Sequence, residues 1–96
     1  MMVVVCYDVD TKKREGQRRL RRVAKTCLNF GQRVQDSVFE CLVEPVQFTD
    51  LKNKLSKEYN ALEDSLRFYF LGKNWKNRVE HMGAKEPVDL EGPLVI

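Results

Sequence analysis

The chain has a single histidine, His81, three cysteines that form no CxxC pair, and no apolar run longer than Met1 to Tyr7. Each shortage removes a class of protein. A lone histidine in a stretch rich in Lys, Asn and Gly reads as a surface residue rather than a general base. Cys6, Cys27 and Cys41 are odd in number, widely spaced and set among apolar neighbours. They read as reduced core thiols, which excludes a zinc site, a dithiol redox centre and a secreted disulfide framework. The opening run has no basic residues before it and is stopped by Asp8, so it is too short for a signal peptide or a membrane span. A cytoplasmic protein with no membrane partner is expected. The loop after that run holds no GxGxxG, which leaves a dinucleotide site without support. Ser37 has no neighbouring base and no nucleophile elbow, so a hydroxyl nucleophile is not indicated. There is no internal repeat and no low-complexity segment.

What the sequence does have is charge, unevenly placed. Between Lys12 and Lys25 eight cations face Glu15 alone, a local charge of +7 in a chain whose total is +3, leaving −4 for the remainder. Clustered Lys and Arg gain from displacing counterions off phosphates, so a polyanion is a candidate partner. The plainer reading, a solvated helix face, stands beside it. With 96 residues, 43% of them hydrophobic, the chain has material for one compact domain, residues 1–96, with a modest core.

Val3 to Tyr7 is β-prone without polar alternation, the pattern of a central strand buried on both faces. Val9 to Gly16 reads as a polar, flexible connection. Leu20, Val23, Ala24, Cys27 and Leu28 recur at helical spacing and predict one apolar face, with Arg18, Arg22 and Lys25 opposite. Gly31 suits the left-handed residue that closes a helix. Arg33 to Val43 reads as a short strand, a tight turn or bend, and a second strand carrying Val38, Phe39, Cys41 and Leu42. Pro45 opens a second helix, with Phe48, Leu51, Leu55 and Tyr59 on one side. Asp64 to Leu71 reads as the last strong strand, with Leu66, Phe68 and Phe70 on one face and Arg67, Tyr69 and Leu71 on the other. The closing Leu94, Val95 and Ile96 predict an added strand. The order βαββαβ is an α+β, ferredoxin-like plan with a C-terminal extra strand. Two helices cover one face of its sheet. A second copy, packed sheet on sheet, is therefore expected to cover the other, with the 72–96 extension helping to form a homodimer.

Asp8 is the residue that invites a chemical reading. A carboxylate ending an apolar central strand is costly to bury unless paired, protonated or bound to a cation, and otherwise it is the first solvated residue after the strand. One carboxylate is a poor magnesium site, because the ion takes about six oxygens. A two-fold axis through the dimer would add the symmetry mate's Asp8, leaving positions for phosphate oxygens and for an activated water. Asp10 is a weaker candidate ligand, since Asp favours turns and caps. Phe39 and Tyr69 are candidates for stacking on bases, although the glycine and aromatic spacing of an RNP signature is missing. Core or interface positions suit them better.

Four segments, VVVCYDVD, GQRRLRRVAK, FGQRVQDSVFE and DSLRFYFLG, together resemble the second CRISPR-associated protein family, Cas-two, along nearly the whole chain. Phe30 stands where the family's central motif commonly has Tyr. The resemblance implies a ferredoxin-like homodimer that joins the integrase Cas-one in capturing new spacers, bridging two integrase dimers and contacting the DNA backbone. It places the family's metal-binding aspartate on Asp8, within the pair Tyr7 and Asp8. Basic and central-motif positions fall on Arg19 or its neighbours, Arg33, Ser37 and Phe39, so that Arg14, Arg18, Arg19, Arg22 and Arg33 are the expected nucleic-acid contacts. Members are described as metal-dependent endonucleases acting on single-stranded RNA or double-stranded DNA. Mg2+ is the expected cofactor, with Mn2+ as substitute. The basic first helix and the bridging role favour double-stranded DNA. Two other readings stand: a non-catalytic bridge for the integrase, and a stand-alone RNA-binding module using Phe39 and Tyr69.

Overall fold

The computed structural model describes residues 1–84. Strand β1 (Met2–Asp8) leads into helix α1 (Arg14–Leu28), strands β2 (Gly31–Gln35) and β3 (Val38–Leu42), helix α2 (Pro45–Glu58) and strand β4 (Ser65–Phe70), followed by a short 3-10 turn at Trp75–Arg78. The sheet order is β2-β3-β1-β4, and each neighbouring pair is antiparallel. This is the expected α+β, ferredoxin-like arrangement, with β1 central.

Side-chain alternation along β1 divides the sheet into two faces. Val3, Val5 and Tyr7 point to the helices and are buried, and Phe39 and Cys41 of β3 join them from across the ladder. From above, α1 contributes Val23, Ala24 and Cys27, while α2 contributes Leu51 and Leu55. Phe48 of α2 meets Phe68 and Phe70 of β4 edge-on, with ring centroids 5.5 and 5.2 Å apart. Glu44 and Gln47 form a reciprocal capping box at the start of α2, where Pro45 takes the first helical position. The opposite face carries Val4, Cys6 and Asp8 of β1, with Val38 and Glu40 of β3 and Ser65, Arg67 and Tyr69 of β4 at their sides. No helix covers it. Val4 and Cys6 are accordingly half-buried, where the sequence predicts a strand buried on both faces.

Several local expectations are corrected. Helix α1 starts at Arg14, inside the stretch read as a flexible connection. Asp10 closes the preceding loop by accepting the Lys12 N–H at 2.9 Å. Leu28, expected on the apolar face, ends the helix exposed. Gly31 is not a left-handed cap: α1 closes at Asn29 in right-handed geometry, and Gly31 begins β2. It must lack a side chain because a Cβ there would sit 1.9 Å from the Glu40 carbonyl oxygen. The last strand starts at Ser65, leaving Asp64 just before it. The strand expected at Leu94 to Ile96 lies outside the described residues.

Candidate functional site

The Asp8 carboxylate stands exposed at the C-terminal end of β1, on the face without helices. Among the described residues it has no hydrogen bond and no ion pair, unlike the buried Asp64. A groove of ≈ 350 Å³ at this corner is lined by Cys6, Tyr7, Asp8, Ser37, Val38, Ser65, Arg67 and Tyr69. Ser37 arrives there because its carbonyl accepts the Tyr7 N–H at 2.9 Å, which carries the β1–β3 pairing into the β2–β3 turn. Ser65 sits directly across the ladder from Asp8, and Arg67 is across from Cys6. No group of three or more His, Cys, Asp or Glu side chains capable of holding a metal occurs among the described residues. Among the described residues, one copy of Asp8 thus supplies too few ligands for a small hard cation.

Tyr7, the neighbour of Asp8, faces the other way. Its hydroxyl donates to the Asp64 carboxylate at 2.5 Å. Arg19 grips the same carboxylate with Nε at 2.8 Å and a terminal nitrogen at 3.0 Å, and the Asn60 N–H donates to it at 3.0 Å. The Asp64 side chain is fully buried. Burial alone would raise its carboxyl, but the hydrogen bonds from Arg19, Tyr7 and Asn60 outweigh it and hold the group below the usual carboxylate range. Burial first, and then the Asp64 hydrogen bond, push the Tyr7 hydroxyl up to about 12. Asp64 is the functional-looking carboxylate that sequence reading missed. Its signal was faint: an acid preceding a strand is usually solvated, and only the fold reveals Arg19 and Tyr7 around it.

The basic helix separates into two sets. Arg19 and Arg22 are engaged, Arg19 by Asp64 and Glu63 and Arg22 by Glu58 at 2.9 Å. Arg14, Arg18, Arg21 and Lys25 are exposed and carry no ion pair among the described residues. At 100° per residue these four fall on one line along α1, almost opposite the buried Val23 and Cys27, and span about 16 Å. Arg22 flanks that line and Arg19 borders the core. Arg21 and Lys25 therefore stand with Arg14 and Arg18 as cations without an ion pair among the described residues, whereas Arg19 is paired with Glu63 and Asp64. Arg33 is exposed, but it binds the Asp36 carbonyl through two nitrogens, at 2.8 and 2.5 Å, and lies over the Phe39 ring. It fastens the β2–β3 turn. Phe39 is buried in the core, which removes it as a base-stacking platform, whereas Tyr69 is exposed on the open face. Tyr7 and Phe39 thus shape the site from behind, and Ser37 borders it directly.

A four-stranded antiparallel sheet with both helices on one face, and a carboxylate without a partner among the described residues ending the central strand on the other, defines a ferredoxin-like α+β protein. The chain belongs to the family of the CRISPR associated protein Cas2, whose model matches residues 1–79. It is 62% identical over 96 residues to a "CRISPR-associated endoribonuclease Cas2" of Chlorobaculum tepidum, covering 100% of both chains. It is 54% identical over 95 residues to a "CRISPR-associated endonuclease Cas2" of Halalkalibacterium halodurans, covering 99% of each. Among solved structures, Streptococcus pyogenes Cas2 in a crystal at pH 6.5 is 55% identical, with a TM-score of 0.81 over 86% of this chain and 100% of that one. No described helix is long and apolar enough to cross a membrane.

Proposed function

We propose that the chain is a metal-dependent endonuclease of CRISPR adaptation that cleaves phosphodiester bonds as a homodimer, with Asp8 of each protomer at the reaction centre. The observation that carries this reading is the Asp8 carboxylate, exposed and without a partner among the described residues, at the end of an otherwise apolar strand on the sheet face without the helices. Nuclease activity is further supported by the names of the Chlorobaculum and Halalkalibacterium relatives. Two Asp8 carboxylates about a two-fold axis suit Mg2+, or Mn2+ in its place, because such ions take one or two carboxylates and fill the rest with water and phosphate oxygens. When bound, the ion supplies charge neutralisation at the phosphate and a more acidic water. The chain's own residues bind and orient: Asp8 fixes the reaction centre, and Arg14, Arg18, Arg21 and Lys25 hold the polynucleotide backbone along α1. Arg14 begins that helix shortly after Asp8 ends its strand.

Double-stranded DNA is the favoured substrate, since free cations in line along a rigid helix suit a regularly spaced phosphate backbone. Single-stranded RNA is the second reading, favoured by the word endoribonuclease in the Chlorobaculum relative's name. Family membership supports a further task in the cytoplasm, bridging copies of the integrase Cas-one around captured DNA. A cleavage assay on duplex DNA and single-stranded RNA, with Mg2+, Mn2+ or chelator, tests the reading. Chelator and Asp8→Asn are expected to stop cleavage while the dimer persists. Cleavage by Asp8→Asn at the wild-type rate overturns the assignment. DNA binding with no cleavage of either polymer by the wild type favours the non-catalytic bridge.

A further inference from the structure

The open sheet face carries one arginine, Arg67, in the groove that holds Asp8. Its situation differs from that of the engaged arginines. Arg19 and Arg22 each meet a carboxylate, whereas the hydrogen-bond partner of Arg67 is the neutral hydroxyl of Tyr69, at 3.1 Å. Glu40, the β3 carboxylate on this face, accepts a hydrogen bond from Gln32 at 3.0 Å. Across the ladder Arg67 meets Cys6, and Asp8 lies two residues further along β1, opposite Ser65. Diagonal neighbours on a sheet stand roughly 7–8 Å apart, so the two opposite charges share a groove without collapsing onto each other. Between and beside them are the hydroxyl-bearing residues Ser37 and Ser65. A planar guanidinium with unused donors matches the oxygens of a phosphodiester, and a tyrosine hydroxyl that accepts one donor restricts its rotation.

Resting on the proposed reading of Asp8, we infer that Arg67 is the side chain that grips the phosphodiester presented to Asp8, and that Tyr69 holds its guanidinium in place. The α1 cations bind the polymer at a distance from the reaction centre. Arg67 binds at it. The dimer then has two such arginines, one beside each Asp8.

The test is a binding titration of a labelled single-stranded RNA and a labelled DNA duplex in chelator, over a series of salt concentrations, with sedimentation to report the dimer. Arg67→Gln is expected to weaken binding about tenfold and to flatten the dependence of log affinity on log salt by about one ion. Arg67→Lys restores the salt slope but leaves affinity below wild type, because an ammonium cannot make the paired contact. Tyr69→Phe keeps the slope and weakens binding about threefold or less. Affinity and slope unchanged in Arg67→Gln overturn the inference. Dissociation of the dimer in Arg67→Gln and Arg67→Lys together also overturns it, since Arg67 is then an interface residue. These readings are taken without metal or turnover. They are therefore independent of whether Asp8→Asn cuts, which decides the reaction-centre assignment separately.

Discussion

The hydroxyl of Tyr7 is hydrogen-bonded to Asp64, 57 residues further along the chain, while the next side chain, Asp8, projects from the opposite face of the same strand. The period of two along a strand makes this unavoidable. One residue locks the end of β1 to α1 and to the start of β4, and its neighbour is thereby presented at a fixed corner of the open face. Tyr7→Phe leaves a buried carboxylate short of one donor and is expected to cost about 1–3 kcal/mol. Asp64→Ala leaves the Tyr7 hydroxyl and the Asn60 N–H without their acceptor, while Arg19 keeps Glu63, and is expected to cost about 1–3 kcal/mol. Urea unfolding at neutral pH checks both. Because Tyr7 does not face the groove, Tyr7→Phe protein that remains folded should cleave with an unchanged metal requirement and only a modest loss of rate.

The same network predicts the pH dependence of stability in two windows. Asp64 titrates below its ordinary value when folded, so its contribution is complete above about pH 4 and is lost as pH falls through the folded value. Tyr7 titrates above its ordinary value, at about 12, because the fold favours the protonated hydroxyl. The unfolded chain loses that proton first, so the Tyr7 contribution is complete below pH 10 and declines between about 10 and 12. Urea midpoints for wild type, Asp64→Asn and Tyr7→Phe across both windows isolate each group. The wild-type advantage over Asp64→Asn should shrink on the acid side. That over Tyr7→Phe should shrink on the alkaline side.

For α1 the ion pairs set the expectation. Replacing Arg14, Arg18, Arg21 or Lys25 singly with Gln should reduce the salt slope of duplex binding by about 0.9 each, with fold and dimer intact. Arg22→Gln should change the slope less, since Glu58 already neutralises that guanidinium. Arg19→Gln should act on stability instead. Equal slopes for Arg18→Gln and Arg22→Gln in salt-dependent anisotropy titrations would remove the distinction between free and engaged cations.

The βαββαβ order, the inward Leu51 and Leu55 and the split of Leu66 and Phe68 from Arg67 and Tyr69 follow from periodicity, which is a local property of the chain. Asp8 was noticeable because it ends an apolar run. Asp64 was not, since its side-chain partners Arg19 and Tyr7 lie 45 and 57 residues away, and the nearby Asn60 supplies only a backbone N–H. Helical spacing identified the basic face of α1 but could not distinguish Arg18 from Arg22, because Glu58 comes from another helix. Phe39 suits a core or interface position on sequence alone, and a related limit keeps alternation from deciding between those two. Alternation assigns a residue to a face, and only the placement of the helices makes that face the core.

Gly31 provides the sharpest test of long-range constraint. Read locally, it is a helix-closing glycine, and alanine there would be penalised by its backbone angle. In the fold it has no positive φ, and the penalty comes from β3: an added Cβ would meet the Glu40 carbonyl oxygen at 1.9 Å and the Cys41 Cα at 2.7 Å. Both contacts are with backbone, so no rotamer change relieves them. Gly31→Ala must push β2 off β3 at the pair Gly31 and Cys41, and the expected cost is about 1–3 kcal/mol, as for overpacking in a core. Hydrogen exchange locates the damage. Amides of the β2–β3 ladder should lose protection first, while those of β1 and β4 keep theirs until global unfolding. A uniform loss across all four strands would place the clash in the shared core instead. An unchanged urea midpoint would mean that β2 yields freely at this edge of the sheet.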